Sequence, residues 1–281
     1  MTKLLTLNTH SWRVPNPLKK LVDLAEHILA EKYDLICLQE INQGIDSEIA
    51  TDLPDYQPIA GVPAIRKDNF ALLLIQYLSK HGQPYYWSWA YNPIGDTTYQ
   101  EGLAILSKQP IEVSGLLLSE TADDYDYHTR RALVARTAID GQEVTVVNLH
   151  LSWFDKGFVG GWQRLEAHLL KETAPLIVMG DFNIPSGQAG YQMILDSPLA
   201  LQDSHQVAGD VFGDHSILAD IDGWESNKEA LKVDHVFTSK DFTITASKIT
   251  FEGGEAPVVS DHYGLEVDLR LSSKRELRKG S

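Results

Sequence analysis

Cysteine is almost missing from this sequence: Cys37 is the only one in 281 residues. A lone thiol forms no intrachain disulfide and no cysteine-based zinc site, and its setting in Leu35-Ile36-Cys37-Leu38 marks it as a small core residue. Basic residues are in deficit, 24 against 39 acidic ones, which leaves a formal net charge of −15. Such a charge repels polyanions unless a bound cation or local charge overrides it, and no basic run lies outside the C-terminal tail, so nucleic acid is disfavoured as a partner. Apolar runs long enough to span a bilayer are absent, and Met1 to Leu7 enters a strand pattern with no signal-peptide core. A cytoplasmic protein without a membrane partner is expected. There is no internal repeat and no low-complexity linker, so one domain over 1–272 and a flexible polar tail over 273–281 are expected.

What is present centres on Leu176-Ile177-Val178-Met179-Gly180-Asp181-Phe182-Asn183-Ile184-Pro185. Four apolar residues in a row read as a strand buried on both faces, and the glycine, ligand-type side chains and proline mark its end. Asp181 and Asn183 are two apart, so in an extended chain they point the same way. Hard cations favour such oxygens.

Other strand ends repeat the theme. Leu4 to Leu7 stops at Asn8, and Leu35 to Leu38 runs through Gln39 into Glu40. Glu101 precedes the strand Leu103 to Leu106, Val144 to Leu149 leads to His150, and Asp234-His235 opens another strand. Asp261-His262 stands just before the last one, Gly264 to Leu271. Arg130 and Arg131 at a strand start suit a phosphate. Helices are predicted from Pro17 to Leu29, with Asn16 as cap and Leu18, Leu21, Val22, Ala25, Ile28 and Leu29 inward, and over Asn69 to Lys80, Trp162 to Leu169 and Gln188 to Leu195. The polar segment 42–66 reads as a long excursion over the active face, and 204–232 as loop.

So many carboxylates on one rim need a cation or shared protons to offset their repulsion. Oxygen-rich ligands suit Mg²⁺ or Mn²⁺ rather than zinc. Histidines beside carboxylates suit acid–base work, with Asp261-His262 and Glu101 with His150 as the candidate pairs. Together they describe metal-assisted hydrolysis of a phosphate ester.

Leu-Asn8-Thr-His, Leu-Gln39-Glu40, Gln-Glu101-Gly102, Asn148-Leu-His150, Gly180-Asp181-Phe-Asn183, Val-Asp234-His and Ser260-Asp261-His262, in this order, resemble the endonuclease/exonuclease/phosphatase superfamily. The resemblance implies a four-layer α/β sandwich, two packed mixed β-sheets flanked by helices. By it, Glu40 is the principal metal ligand with Asn8, Asp234 and Asp261 nearby, Asp181 orients water and Asn183 contacts phosphate. His150 with Glu101 follows the deoxyribonuclease-like branch, whereas His10 stands where those nucleases often carry an acid. Trp153 and Lys156, in an aromatic loop, and His10 are candidate substrate contacts. That loop looks like those of bacterial maltose 6′-phosphate phosphatases, which points to a small phosphorylated sugar as substrate. The alternatives are a DNA nuclease, a sphingomyelinase-like phosphodiesterase, or a catalytically silent binding protein.

Overall fold

The structure, a computed structural model, describes residues 1–93 and 97–272. Strand β1 (Thr2–Asn8) is followed by α1 (Pro17–Glu31), β2 (Leu35–Gln39), the short β3 (Gln43–Gly44), α2 (Phe70–Lys80) and β4 (Tyr86–Tyr91). Next come β5 (Tyr99–Gln100), β6 (Gly102–Ser107), β7 (Glu112–Leu117), β8 (Arg131–Ile139), β9 (Gln142–His150), α3 (Phe158–Leu169) and β10 (Leu176–Asp181). The chain continues through α4 (Ala189–Leu195), β11 (Gln202–Asp203), α5 (Ser204–Val207), β12 (Asp210–Phe212), β13 (Asp234–Thr238), β14 (Phe242–Thr250) and β15 (Gly264–Leu271).

One sheet has the order β12-β14-β15-β1-β2-β6-β4 and the other β11-β13-β10-β9-β8-β7. Both are mixed: β1 is parallel to β2 and antiparallel to β15, while β10 is parallel to β9 and antiparallel to β13. Strand alternation divides the apolar residues among three cores. Leu4, Leu35 and Cys37 meet Ile177, Met179 and Val236 between the sheets. Leu5, Leu7, Ile36 and Leu38 face α1 and α2, and Val147, Leu149 and Val178 face α3 and α4. Helix, sheet, sheet, helix is the four-layer α/β sandwich expected from the sequence. Cys37 is buried, and burial raises its thiol pKa. Among the described residues no helix is long and apolar enough to cross a membrane.

Several local expectations are corrected. The buried stripe of α1 is Leu21, Leu24, Ala25 and Ile28, leaving Leu18 and Val22 exposed. Asn16 precedes that helix in a left-handed conformation, with no hydrogen bond from its side chain to the helix. Segment 42–66 does not cover the active face; its middle wraps the edge strand β4, with Gln57 N donating to Trp87 O and Tyr56 packed on the Trp87 ring. Helix α3 starts at Phe158, through Gly160 and Gly161, because Phe158, Trp162, Leu165 and Leu169 form one apolar face. The 204–232 stretch holds α5 and β12. The tail 273–281 and residues 94–96 of the expected 92–100 loop lie outside the described residues.

Gly180 has φ 145°, and a Cβ there would sit 2.1 Å from Leu149 O on the neighbouring strand. Close backbone approach, not flexibility, demands the glycine. Gly180→Ala is expected to cost roughly 3 kcal/mol or more of stability by chemical denaturation.

A buried polar cluster fixes the strand pair next to it. Lys232 Nζ lies 2.8 Å from His235 Nδ1 and 3.6 Å from Asp203 Oδ2, and His235 Nε2 donates to Ile184 O at 2.9 Å. Burial, helped by Lys232, pushes the His235 pKa down to about 3. The unfolded chain takes up this proton below an ordinary pKa of about 6.5, so the histidine's contribution to stability is lost as pH falls from there toward 3. The slope is up to about 1.4 kcal/mol per pH unit, and His235→Gln should flatten it in urea titrations between those limits.

Candidate active site

Register delivers the polar rim. In the second sheet His150, Asp181 and Asp234 are direct neighbours across β9, β10 and β13. In the first, Asn8 pairs with Gln39, and Glu40 follows at once. The turns leaving these strands are tight: His10, Glu40 and Asn183 have φ of 46°, 54° and 51°. Non-glycine residues rarely adopt such angles, and their clustering at one rim marks backbone bent to aim side chains.

Asp181 Oδ2 is the hub. Asn8 Nδ2 donates to it at 3.0 Å and to Glu40 Oε1 at 2.9 Å, so one amide bridges carboxylates from the two sheets. His150 Nε2 and His262 Nε2 lie 3.5 and 3.8 Å from the same oxygen. His262 Nδ1 is 2.8 Å from Asp234 Oδ2. On the other side His10 Nδ1 lies 3.0 Å from Glu40 Oε2 and 3.9 Å from Asp261 Oδ2. Asn183 is bonded on every side: its backbone N–H donates to Asp181 Oδ1, its Nδ2 donates to Leu151 O, and its Oδ1 accepts from Trp224 Nε1.

These surroundings drive the ionisable groups apart. Burial disfavours the His262 imidazolium, yet Asp234 and Asp181 outweigh it and lift the pKa to about 10. His150 moves down, by burial and by Arg130, despite Asp181. Burial opposes ionisation of Glu40, but His10, His150 and the Asn8 amide hold its carboxyl well below the ordinary range. Glu101 goes the other way, raised by burial and by the Glu40 charge. Two imidazoles facing one carboxylate thus differ in charge, the usual setting for an acid and a base.

The pocket over this rim is a cavity of about 160 Å³ that takes in His10, Glu40, Glu101, Arg130, His150 and Trp153 as well as Asp181, Asn183, Asp261 and His262. Most expected site residues therefore converge. Three details differ. Asp261 is not the partner of His262; Asp234 is, and Asp261 accepts from Ser260 Oγ while turning toward His10. Glu101 and His150 do not close a dyad, since Glu101 Oε1 and His150 Nδ1 are both buried without a hydrogen-bond partner. Arg131 stays outside the pocket, beside the Tyr91 ring and 3.9 Å from Asp124. Asp234 is fully buried behind His262, and its Oδ1 has no hydrogen-bond partner. Lys156 stacks its ammonium 4.9 Å from the Trp153 ring and lines an adjoining cavity. Arg13, Tyr127, Asp222 and Trp224 line the same pocket, and nothing in the sequence patterns singled them out. An acid and a tryptophan in the turn Asp220-Ile221-Asp222-Gly223-Trp224 were the available signal.

The donor set suits a hard divalent cation. Glu40 and Asp261 offer oxygens beside the Asn8 amide; among the described residues the donor atoms of Asp181, Asp234 and His262 also come within 4.8 Å of one another, but there Asp234 is already taken up by its hydrogen bond with His262. Buried oxygens of Glu101 and Asp234 have no protein hydrogen-bond partner, which leaves acceptor capacity at this rim unused.

Two facing sheets that bring carboxylates, imidazoles and a buried guanidinium to one rim define a phosphoester-hydrolysing class of protein. The sequence pattern of the Endonuclease/Exonuclease/phosphatase family matches residues 5–262, and the chain belongs to that family. It is 27% identical to an endonuclease/exonuclease/phosphatase family protein from Leptotrichia buccalis C-1013-b, with a TM-score of 0.84 over 96% of this chain and 100% of the other. The mannosyl-6-phosphatase of Bacteroides thetaiotaomicron VPI-5482 shares the fold at 17% identity, TM-score 0.67, with 96% and 100% covered. The human Nocturnin catalytic domain does so at 16% identity, TM-score 0.63, with 96% and 93% covered. No curated protein sequence matches the chain.

Asp234→Asn would keep the volume but remove the charge that holds His262 protonated. The expected result is a loss of kcat on the order of a hundredfold with unchanged circular dichroism. Retained kcat would show that the Asp234–His262 pair serves packing only.

Proposed function

We propose that the protein is a divalent-metal-dependent phosphomonoesterase whose substrate is a phosphorylated sugar, with maltose 6′-phosphate as the leading candidate. The observation that carries this is the small catalytic cavity, about 160 Å³, with Trp153, Trp224 and Tyr127 in its walls. A terminal phosphoryl group fits such a space, whereas an internal phosphodiester needs an open basic groove on either side. The net charge of −15 supports the same choice.

Glu40, with Asn8 and Asp261, would hold Mg²⁺ or Mn²⁺. When bound, the ion supplies polarisation of a phosphoryl oxygen and neutralises charge building up in the transition state. Arg130 carries a buried positive charge that meets the phosphate. Asp181 orients a water for in-line attack on phosphorus and accepts its proton, with His150, largely neutral, beside it. His262, held protonated by Asp234, hydrogen-bonds the phosphoryl oxygens and donates a proton to the departing sugar oxygen as the P–O bond breaks. Asn183 fixes the Asp181 loop to Leu151 and Trp224.

Glu40→Gln is expected to abolish Mg²⁺-dependent phosphate release while leaving the fold intact; because His10 and the Asn8 amide favour the Glu40 charge, the metal-free melting temperature should not rise. The wider test is phosphate release from a panel of phosphorylated sugars, run beside plasmid DNA and sphingomyelin. Faster cleavage of DNA or lipid than of any sugar phosphate would overturn the assignment.

A further inference from the structure

The catalytic cavity accommodates a phosphoryl group and little more, so the rest of a substrate must lie elsewhere. Next to it is a second cavity of about 380 Å³, within the size range of small-molecule sites, roughly 300–1,000 Å³. Arg130 lines both. Its Nη1 is held by Tyr127 O and Thr129 O at 2.8 and 3.3 Å, while its Nε is buried with no partner. A guanidinium fixed this way stands where the two cavities meet.

The floor of the second cavity is Leu118, Leu151, Gly160 and Gly161. Glycine weakens a helix relative to alanine, and both glycines fall in the first turn of α3. Packing does not demand Gly161: a Cβ there would touch Leu151 Cδ2 at 3.7 Å, an ordinary contact. What the missing side chain does is keep the floor flat. Around it stand the hydroxyls of Thr121 and Ser152, the Arg164–Glu120 pair at 3.4 Å, and the cations Arg130 and Lys156. An apolar floor under a rim of hydroxyls and charged hydrogen-bonding groups suits the C–H face and hydroxyls of a sugar ring.

We propose that this cavity binds the non-reacting ring of a phosphorylated disaccharide, with the phosphoryl group in the catalytic cavity and Arg130 between them. The inference rests on the sugar-phosphatase reading.

The test compares kcat/KM for maltose 6′-phosphate and glucose 6-phosphate in the Mg²⁺-loaded enzyme and in Gly161→Leu, whose side chain fills the cavity. The wild type should prefer the disaccharide, and Gly161→Leu should lower that preference by about tenfold or more, through KM, with little change in melting temperature. Should that variant fail to fold, Gly160→Ala answers by the same ratio, because its methyl meets only the Arg164 Nη1 tip at 3.1 Å. An unchanged ratio with both sugars cleaved overturns the cavity assignment and leaves the phosphatase standing. A wild type that cleaves neither sugar, but does cleave DNA or sphingomyelin, overturns the phosphatase and this inference with it.

Discussion

One side-chain amide, that of Asn8, governs the whole rim. Its Nδ2 reaches Glu40 at 2.9 Å and Asp181 at 3.0 Å, carboxylates that belong to different sheets. An amide nitrogen has two protons to give, so it can serve both at once; a carboxylate at this place would add to the repulsion. Below it, Gln39 Nε2 donates to Asn148 Oδ1 at 2.7 Å, and Asn148 Nδ2 donates to Leu38 O and Ala104 O. These groups are fully buried and mutually satisfied, which ties the two sheets together in one arrangement just under the polar rim.

Charge is then balanced by placement. His10 stands between Glu40 and Asp261, and His262 between Asp234 and Asp181. Each imidazole is drawn toward its charged form by the carboxylates it separates, against the effect of burial. His150 has Arg130 as well as Asp181 for company and shifts down instead. The left-handed backbone at His10, Glu40 and Asn183 is the conformational cost of turning three strand ends inward.

The layers were legible because doubly buried strands leave four-residue apolar runs, and most rim residues were legible because each follows or precedes such a run. Partner choice was not. Asp261 and His262 are adjacent in sequence and look like a pair, but the chain bends at Asp261, which turns toward His10, and the histidine finds Asp234 across space. Alternation at the start of β8 admits Arg130 to the pocket and turns Arg131 toward Tyr91. Asp222 and Trp224 lie in a stretch with no hydrophobic period, where position depends on tertiary packing; Gly223 has φ 76°, and a Cβ there would meet the Trp153 ring at 2.7 Å. The segment 42–66 gave no hint of its course because a polar chain covering a sheet edge has no pattern of its own.

The walls of the pocket come from separate loops: Tyr127 and Arg130 from one, Trp153 from a second, Asp222 and Trp224 from a third. Their framework differs from the rim beneath. Rim residues are set by strand register, which a one-residue slip would destroy, whereas loops change length and composition at little cost to the cores. Structures only 16–17% identical keep the sandwich across almost the whole chain. The pocket lining is thus carried by backbone that is free to vary, and in this chain the long-range field of a net charge of −15 gives no attraction to anions. What those loops place at the pocket is a fixed guanidinium, Arg130, and two tryptophans, Trp153 and Trp224, so that contact rather than long-range field is what the walls offer a ligand.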